Sequence, residues 1–167
     1  MRTKPSSRSP RPAAPLRPSR GSGAIRAALR GLPPLEGAPI RIRFRRRLES
    51  GLHGTEVHAA TFLRKRLILL ETGLVCHRRE LARILVHELF HFVWLRLGNP
   101  VRRSFEALLR REWRAGAAGE LGWSAEWRKQ ALGARDRRQR TRRWREYVCE
   151  SFCDSAAWWL AGKRPHD

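Results

Sequence analysis

Residues 80–97 read Glu-Leu-Ala-Arg-Ile-Leu-Val-His-Glu-Leu-Phe-His-Phe-Val-Trp-Leu-Arg-Leu, with neither Gly nor Pro and with apolar side chains almost all round a helical wheel. Such a helix belongs inside a core. Yet it carries two histidines and a glutamate, in the order His87-Glu88-Leu89-Phe90-His91. Residues four apart share one face of a helix, so both imidazoles point at one place. Buried there without partners, these groups would be costly. A metal ion satisfies them: two imidazole nitrogens at this spacing suit Zn²⁺, and Glu88 stands where a general base for an attacking water is needed. The plainer alternative is a pair of core histidines bonded to backbone, with Glu88 at a rim. Gly98-Asn99-Pro100 is expected to end the helix, with Gly at its C-terminal cap.

A catalytic zinc takes three protein ligands and leaves a fourth position open. No third His follows at a short spacing, and His166 sits beyond Pro165 in a polar tail. Glu150 is the better candidate. It lies four residues before Asp154, so a helix puts both carboxylates on one face. Asp154 is then placed to accept a proton from the far nitrogen of a ligand His and fix its tautomer. Val148, Phe152, Ala156, Trp158, Trp159 and Leu160 imply that this segment is partly buried; otherwise the two acids belong to a solvated face. Glu112, Glu120 and Glu126 remain alternatives for the third ligand.

The HExxH helix followed downstream by Glu150-x-x-x-Asp154 resembles the zincin metallopeptidases, and within them the gluzincin branch that includes thermolysin-like peptidases. The resemblance implies that His87, His91 and Glu150 bind zinc, that Glu88 is the base, and that Asp154 orients a ligand His. It spans residues 40–162 but rests on two short motifs. At this length the chain looks like a compact single-domain zincin, such as the peptidase domains of the ImmA/IrrE type. Two departures stand out. Cys149 occupies the position where Asn often precedes the downstream Glu, and the long separation between the motifs calls for an inserted helix. The activity implied is zinc-dependent hydrolysis of peptide bonds in a peptide or protein substrate.

The chain before the first motif suits that architecture. Residues 40–45 alternate apolar and basic, as a half-buried strand does. Residues 57–63 and 67–70 read as further strands, with a Gly-containing turn over 50–55. After the HExxH helix come a helix over 102–117 with Phe105, Leu108, Leu109 and Trp113 as its apolar stripe, a segment near 124–127 with Ser124 as a helix cap, and a final helix over 141–161 ended by Gly162 and Pro165. The expected fold is α+β: a small antiparallel sheet packed on the HExxH helix, with helices C-terminal to it. Tyr147, His58 and His77 are candidate donors to a developing oxyanion.

Residues 1–35 contain no acid and many Pro, Ser and Gly, so they are expected to lie outside the domain as a basic disordered segment, with 24–31 able to form a short helix. The domain is then 36–162 and the polar tail 163–167. No stretch is long enough to span a membrane, and no apolar core follows the basic start as a secretory signal requires. Cys76, Cys149 and Cys153 make no disulfide framework; a reducing cytoplasm is expected. Cys149 and Cys153, four apart, are either small buried residues or thiolate ligands. A net charge of +21 favours polyanions. The Arg-dense run 135–145, with Trp113, Trp123, Trp127 and Trp144 near basic residues, makes nucleic-acid contact the rival function, although no nucleic-acid motif is present.

Overall fold

Alternation of Ile and Phe with Arg produces strand β1 (Arg41–Arg45), whose arginines are exposed while Ile42 and Phe44 are half-buried. The computed structural model describes residues 20–30, 32–49 and 56–161. The expectations for residues 1–19, for the 50–55 turn, for Gly31, and for Gly162, Pro165 and the tail bearing His166 lie outside the described residues. Strand β2 is Ala59–Phe62 and β3 is Leu67–Glu71. The order is β1-β3-β2, with β3 antiparallel to β2 and parallel to β1. The sheet is therefore mixed, where a wholly antiparallel one was expected. The reason lies in the side chains. Ile68 and Leu70 of β3 are fully buried, whereas β1 carries arginines suited only to an edge. The apolar strand takes the centre, between β1, which it meets parallel, and β2, which it meets antiparallel.

Among the described residues there are six α-helices, in chain order α1 (Arg20–Ala28), α2 (Arg78–Arg96), α3 (Asn99–Arg114), α4 (Trp123–Gln130), α5 (Ala134–Gln139) and α6 (Arg142–Leu160). Helix α2 lies between two cores. One contains Ile68, Leu70, Leu74, Leu81, Ile84, Leu85, Leu89 and Phe92, and it is flanked by Ala24, Ile25 and Ala28 of α1. The other holds Leu109, Ala125, Trp144, Tyr147 and Val148 beneath Trp94, Phe105 and Trp113. That is why α2 is apolar on nearly every face. Helix α1 falls within the segment expected to lie outside the domain, so the packed body begins before residue 36. Its Ala and Ile spacing offers the sheet core an apolar face despite the surrounding arginines.

The helix expected over 102–117 runs Asn99–Arg114, and two helix caps differ from expectation. The Gly98-Asn99-Pro100 break ends α2, but its C-cap is the extended Leu97, and Gly98 instead caps the start of α3. Pro100 fits the first turn of α3 because no amide donor is needed there. Helix α4 is capped by Gly122 and contains Ser124; the site below explains this. Among the described residues, no helix is long and apolar enough to cross a membrane.

The second core is closed by a charged anchor that the sequence did not announce. Glu106 of α3 is buried. It accepts from Arg140 at 2.6 and 2.8 Å, from Arg110 at 3.0 Å, and from Nε1 of Trp144 at 2.9 Å. Burial alone would raise its pKa, but these donors, Arg140 first, bring it down to about 2 from the ordinary 4.5. A depressed carboxylate contributes stability above its unfolded pKa and loses it as pH falls through the folded one. Between pH 4.5 and about 2 the chain should lose roughly 3 kcal/mol from this group. Urea unfolding across that range tests this, since Glu106→Gln should show a much flatter acid limb.

Candidate metal centre

Helices α2 and α6 pack side by side and bring the two motifs together. The imidazoles of His87 and His91, one turn apart on α2, meet Glu150 of α6. His87 Nε2 lies 3.1 Å and His91 Nε2 3.8 Å from the same oxygen, Glu150 Oε2. Donors in tetrahedral contact with Zn²⁺ at ~2.0–2.1 Å stand about 3.4 Å apart. Both histidine–carboxylate separations lie near that value, and the three ligand atoms all lie within 4.8 Å of one another. His87 donates from Nδ1 to Asp154 Oδ1 at 2.7 Å. Nε2 is then the nitrogen that faces Glu150, and it would offer its lone pair to an ion that displaces its proton. Asp154 is itself held, its Oδ2 accepting from the backbone N–H of Ala125 at 2.9 Å.

The electrostatics favour a cation. Burial opposes charge on His87, yet the hydrogen bonds to Asp154 and Glu150 outweigh it and raise its pKa to about 10. His91 is also raised against its burial, by Cys149 and by the charge of Glu150. Glu150 is lowered against burial by His87, His91 and Arg128. The carboxylates that raise both imidazoles would likewise favour a cation placed between them. Two imidazoles and one carboxylate are a donor set that such an ion accepts.

Helix α4 completes the wall. Arg128 lies 3.2 Å from Glu150 Oε1, holding that oxygen while Oε2 faces the histidines. Gly122 explains the cap. Its φ of −157° is ordinary, but a Cβ on it would overlap the carboxylate of Asp154. Only a residue without a side chain lets α4 begin against Asp154. Gly122→Ala should therefore displace Asp154, loosen His87 and weaken metal binding by about 10- to 100-fold. Competition with a chelating dye measures it, and an unchanged affinity would refute this role for Gly122.

A cavity of about 1040 Å³ opens onto this cluster. His87, Glu88, His91, Cys149, Glu150 and Asp154 line it on one side, Ala59, Ala60 and Thr61 of β2 on another, and Trp123, Trp127 and Arg128 on a third. Trp123 is 71% exposed, so this wall offers an open apolar face. Glu88 thus shares the cavity with the donors on either side of it.

The remaining expectations separate cleanly. Glu120, a rival third ligand, accepts from Tyr147 Oη at 2.7 Å and from Ser151, and pairs with Lys129. Glu126 accepts from Gln130, and Glu112 is exposed on α3. None joins the two histidines. Tyr147 is buried in the second core and donates to Glu120, away from the cavity. His77 is exposed at the start of α2. His58 alone of those three candidates reaches the cavity wall, where its Nδ1 lies 2.7 Å from Glu71 Oε2. Arg128 and Gly122 were missed by sequence reasoning. Neither stands in a motif, and both matter only through packing of α4 on α6.

The Arg-dense run spans α5 and the start of α6, where Arg135, Arg138, Arg142, Arg143 and Arg145 are exposed. Part of its charge is spent internally, through Arg140 on Glu106 and Arg142 on Glu146.

No protein-family model, curated protein or solved structure matches this chain. Fold and site together define an α+β protein with a buried histidine–carboxylate cluster able to hold a metal ion.

Proposed function

We propose that this chain is a zinc-dependent metallopeptidase of the zincin type, with His87, His91 and Glu150 as ligands. The observation that carries the reading is the convergence of those three donors on one point, with Asp154 behind His87 and Glu88 in the same cavity. Three protein ligands leave a position open, which suits a catalytic rather than a structural ion. Zinc bound there supplies Lewis acidity toward a water and a substrate carbonyl.

The chain's own residues do the rest. Glu88 takes the proton of the attacking water and returns it to the leaving amine. Asp154 keeps His87 in one tautomer. Strand β2 is an edge of the sheet and lines the cavity, so an extended peptide can add to it through backbone hydrogen bonds. The exposed Trp123 and Trp127 offer its side chains an apolar wall.

The test is the zinc content of the untagged chain, with hydrolysis of a mixed unstructured-peptide substrate. One tightly bound zinc per chain, lost in His87→Ala and in Glu150→Ala together with hydrolysis, is the expected result. Zinc held equally well by both variants would overturn the assignment. A second reading, polyanion binding, is favoured only by the exposed arginines of α5 and α6; steeply salt-dependent binding to single-stranded DNA with no zinc-dependent hydrolysis would select it.

A further inference from the structure

His87 and His91 treat their second nitrogens differently. His87 turns Nδ1 to a carboxylate, the usual support for a ligand imidazole. His91 turns Nδ1 to two sulfurs, at 3.5 Å from Cys153 Sγ and 3.7 Å from Cys149 Sγ. Both cysteines are unpaired by disulfide and sit one helical turn apart on α6. With M–S near ~2.3 Å and M–N near ~2.0 Å, tetrahedral geometry puts S and N donors about 3.5 Å apart. Both sulfur–nitrogen separations meet that spacing, and the three donor atoms all lie within 4.8 Å of one another. Cys153 is fully buried, whereas Cys149 opens on the cavity and gives an ion a way in.

We infer that Cys149, Cys153 and Nδ1 of His91 form a second cation site, which favours thiophilic ions such as Cu⁺ or Cd²⁺ and competes with the first site for His91. Two sulfurs and one nitrogen make the softer donor set; two nitrogens and a carboxylate make the harder one. A neutral imidazole offers a single lone pair, so His91 serves one set at a time. An ion on the sulfurs therefore withdraws a ligand from the His87–Glu150 set. The site exists whether or not the protein cleaves peptides. If it does, thiophilic ions switch the enzyme off.

The test uses full-length Cys76→Ser, which removes the exposed third thiol, in reduced form with Cd²⁺ as probe. Sulfur-to-cadmium charge-transfer absorption in the ultraviolet reports the site. One equivalent of Cd²⁺ should saturate a band of two-thiolate intensity. The band should vanish in Cys149→Ser/Cys153→Ser and persist in Glu150→Gln, which disables only the first set. His91→Gln should weaken Cd²⁺ binding by at least about tenfold. No band in the folded parent, a band of one-thiolate intensity, or one indifferent to His91 would overturn the proposal and leave the sulfurs as mere hydrogen-bond partners of His91. The parent titration decides even if the serine pair fails to fold. Persistence in Glu150→Gln also separates this result from the fate of the peptidase reading.

Discussion

Glu88→Gln is expected to keep the metal and lose the chemistry. Gln preserves the length and polarity of the side chain, so the packing of α2 and the donor set of His87, His91 and Glu150 should stay in place. What disappears is an acceptor for the water proton. General-base contributions of this kind are worth about 10²- to 10⁴-fold, and a fall of about 10³-fold in kcat on a cleaved peptide is the expected size. KM should move little, since Glu88 acts on the attacking water rather than on substrate binding. Zinc stoichiometry and affinity should match the parent. The pair of readouts matters more than either alone. Loss of zinc would mean that Glu88 supports the ligands, and full activity without the carboxylate would sink the proposed mechanism.

Glu106→Ala should be the most damaging substitution to the fold away from the site. The carboxylate is 7% exposed and gathers Arg140, Arg110 and the indole N–H of Trp144. Trp144 is fully buried, so truncation leaves its N–H without that acceptor, at a cost of about 1–3 kcal/mol. Breaking the ion pairs adds to this, although Arg140 is half exposed and regains solvent. A total near 3 kcal/mol, or a fall of roughly 10 °C in Tm, is expected. Glu106→Gln keeps an oxygen for Trp144 and should lose less. A melting temperature unchanged in Glu106→Ala would show that the α3–α6 junction is held by its aromatics alone.

Much of the site was legible before any coordinates. A helix repeats every 3.6 residues, so His87 and His91 had to share a face, as did Glu150 and Asp154. The three strands were legible from their apolar runs, with ends off by a residue or two. The centre of the sheet was not legible: which strand lies between the others depends on what each side must cover, and the arginines of β1 decide that only against the buried Ile68 and Leu70 of β3. The N-terminal boundary failed for a similar reason. Composition marked residues 1–35 as unable to make a core, but Ala24, Ile25 and Ala28 needed only to join one already built by α2.

What the sequence determined by itself are relations within single helices: the histidine pair with Glu88 between its members, the carboxylate pair, and the cysteines at 149 and 153. What tertiary structure alone decided is which of these face each other. His87 and Glu150 lie 63 residues apart. Their meeting, the placement of Glu150 rather than Glu120 beside the histidines, the gap at Gly122 that admits Asp154, and the turn of His91 toward sulfur all depend on how the apolar faces of α2, α4 and α6 pack. Periodicity fixes neighbours one turn apart because backbone geometry does. Contacts between helices are set by the shapes and volumes of many side chains at once, and no short pattern along one chain encodes them.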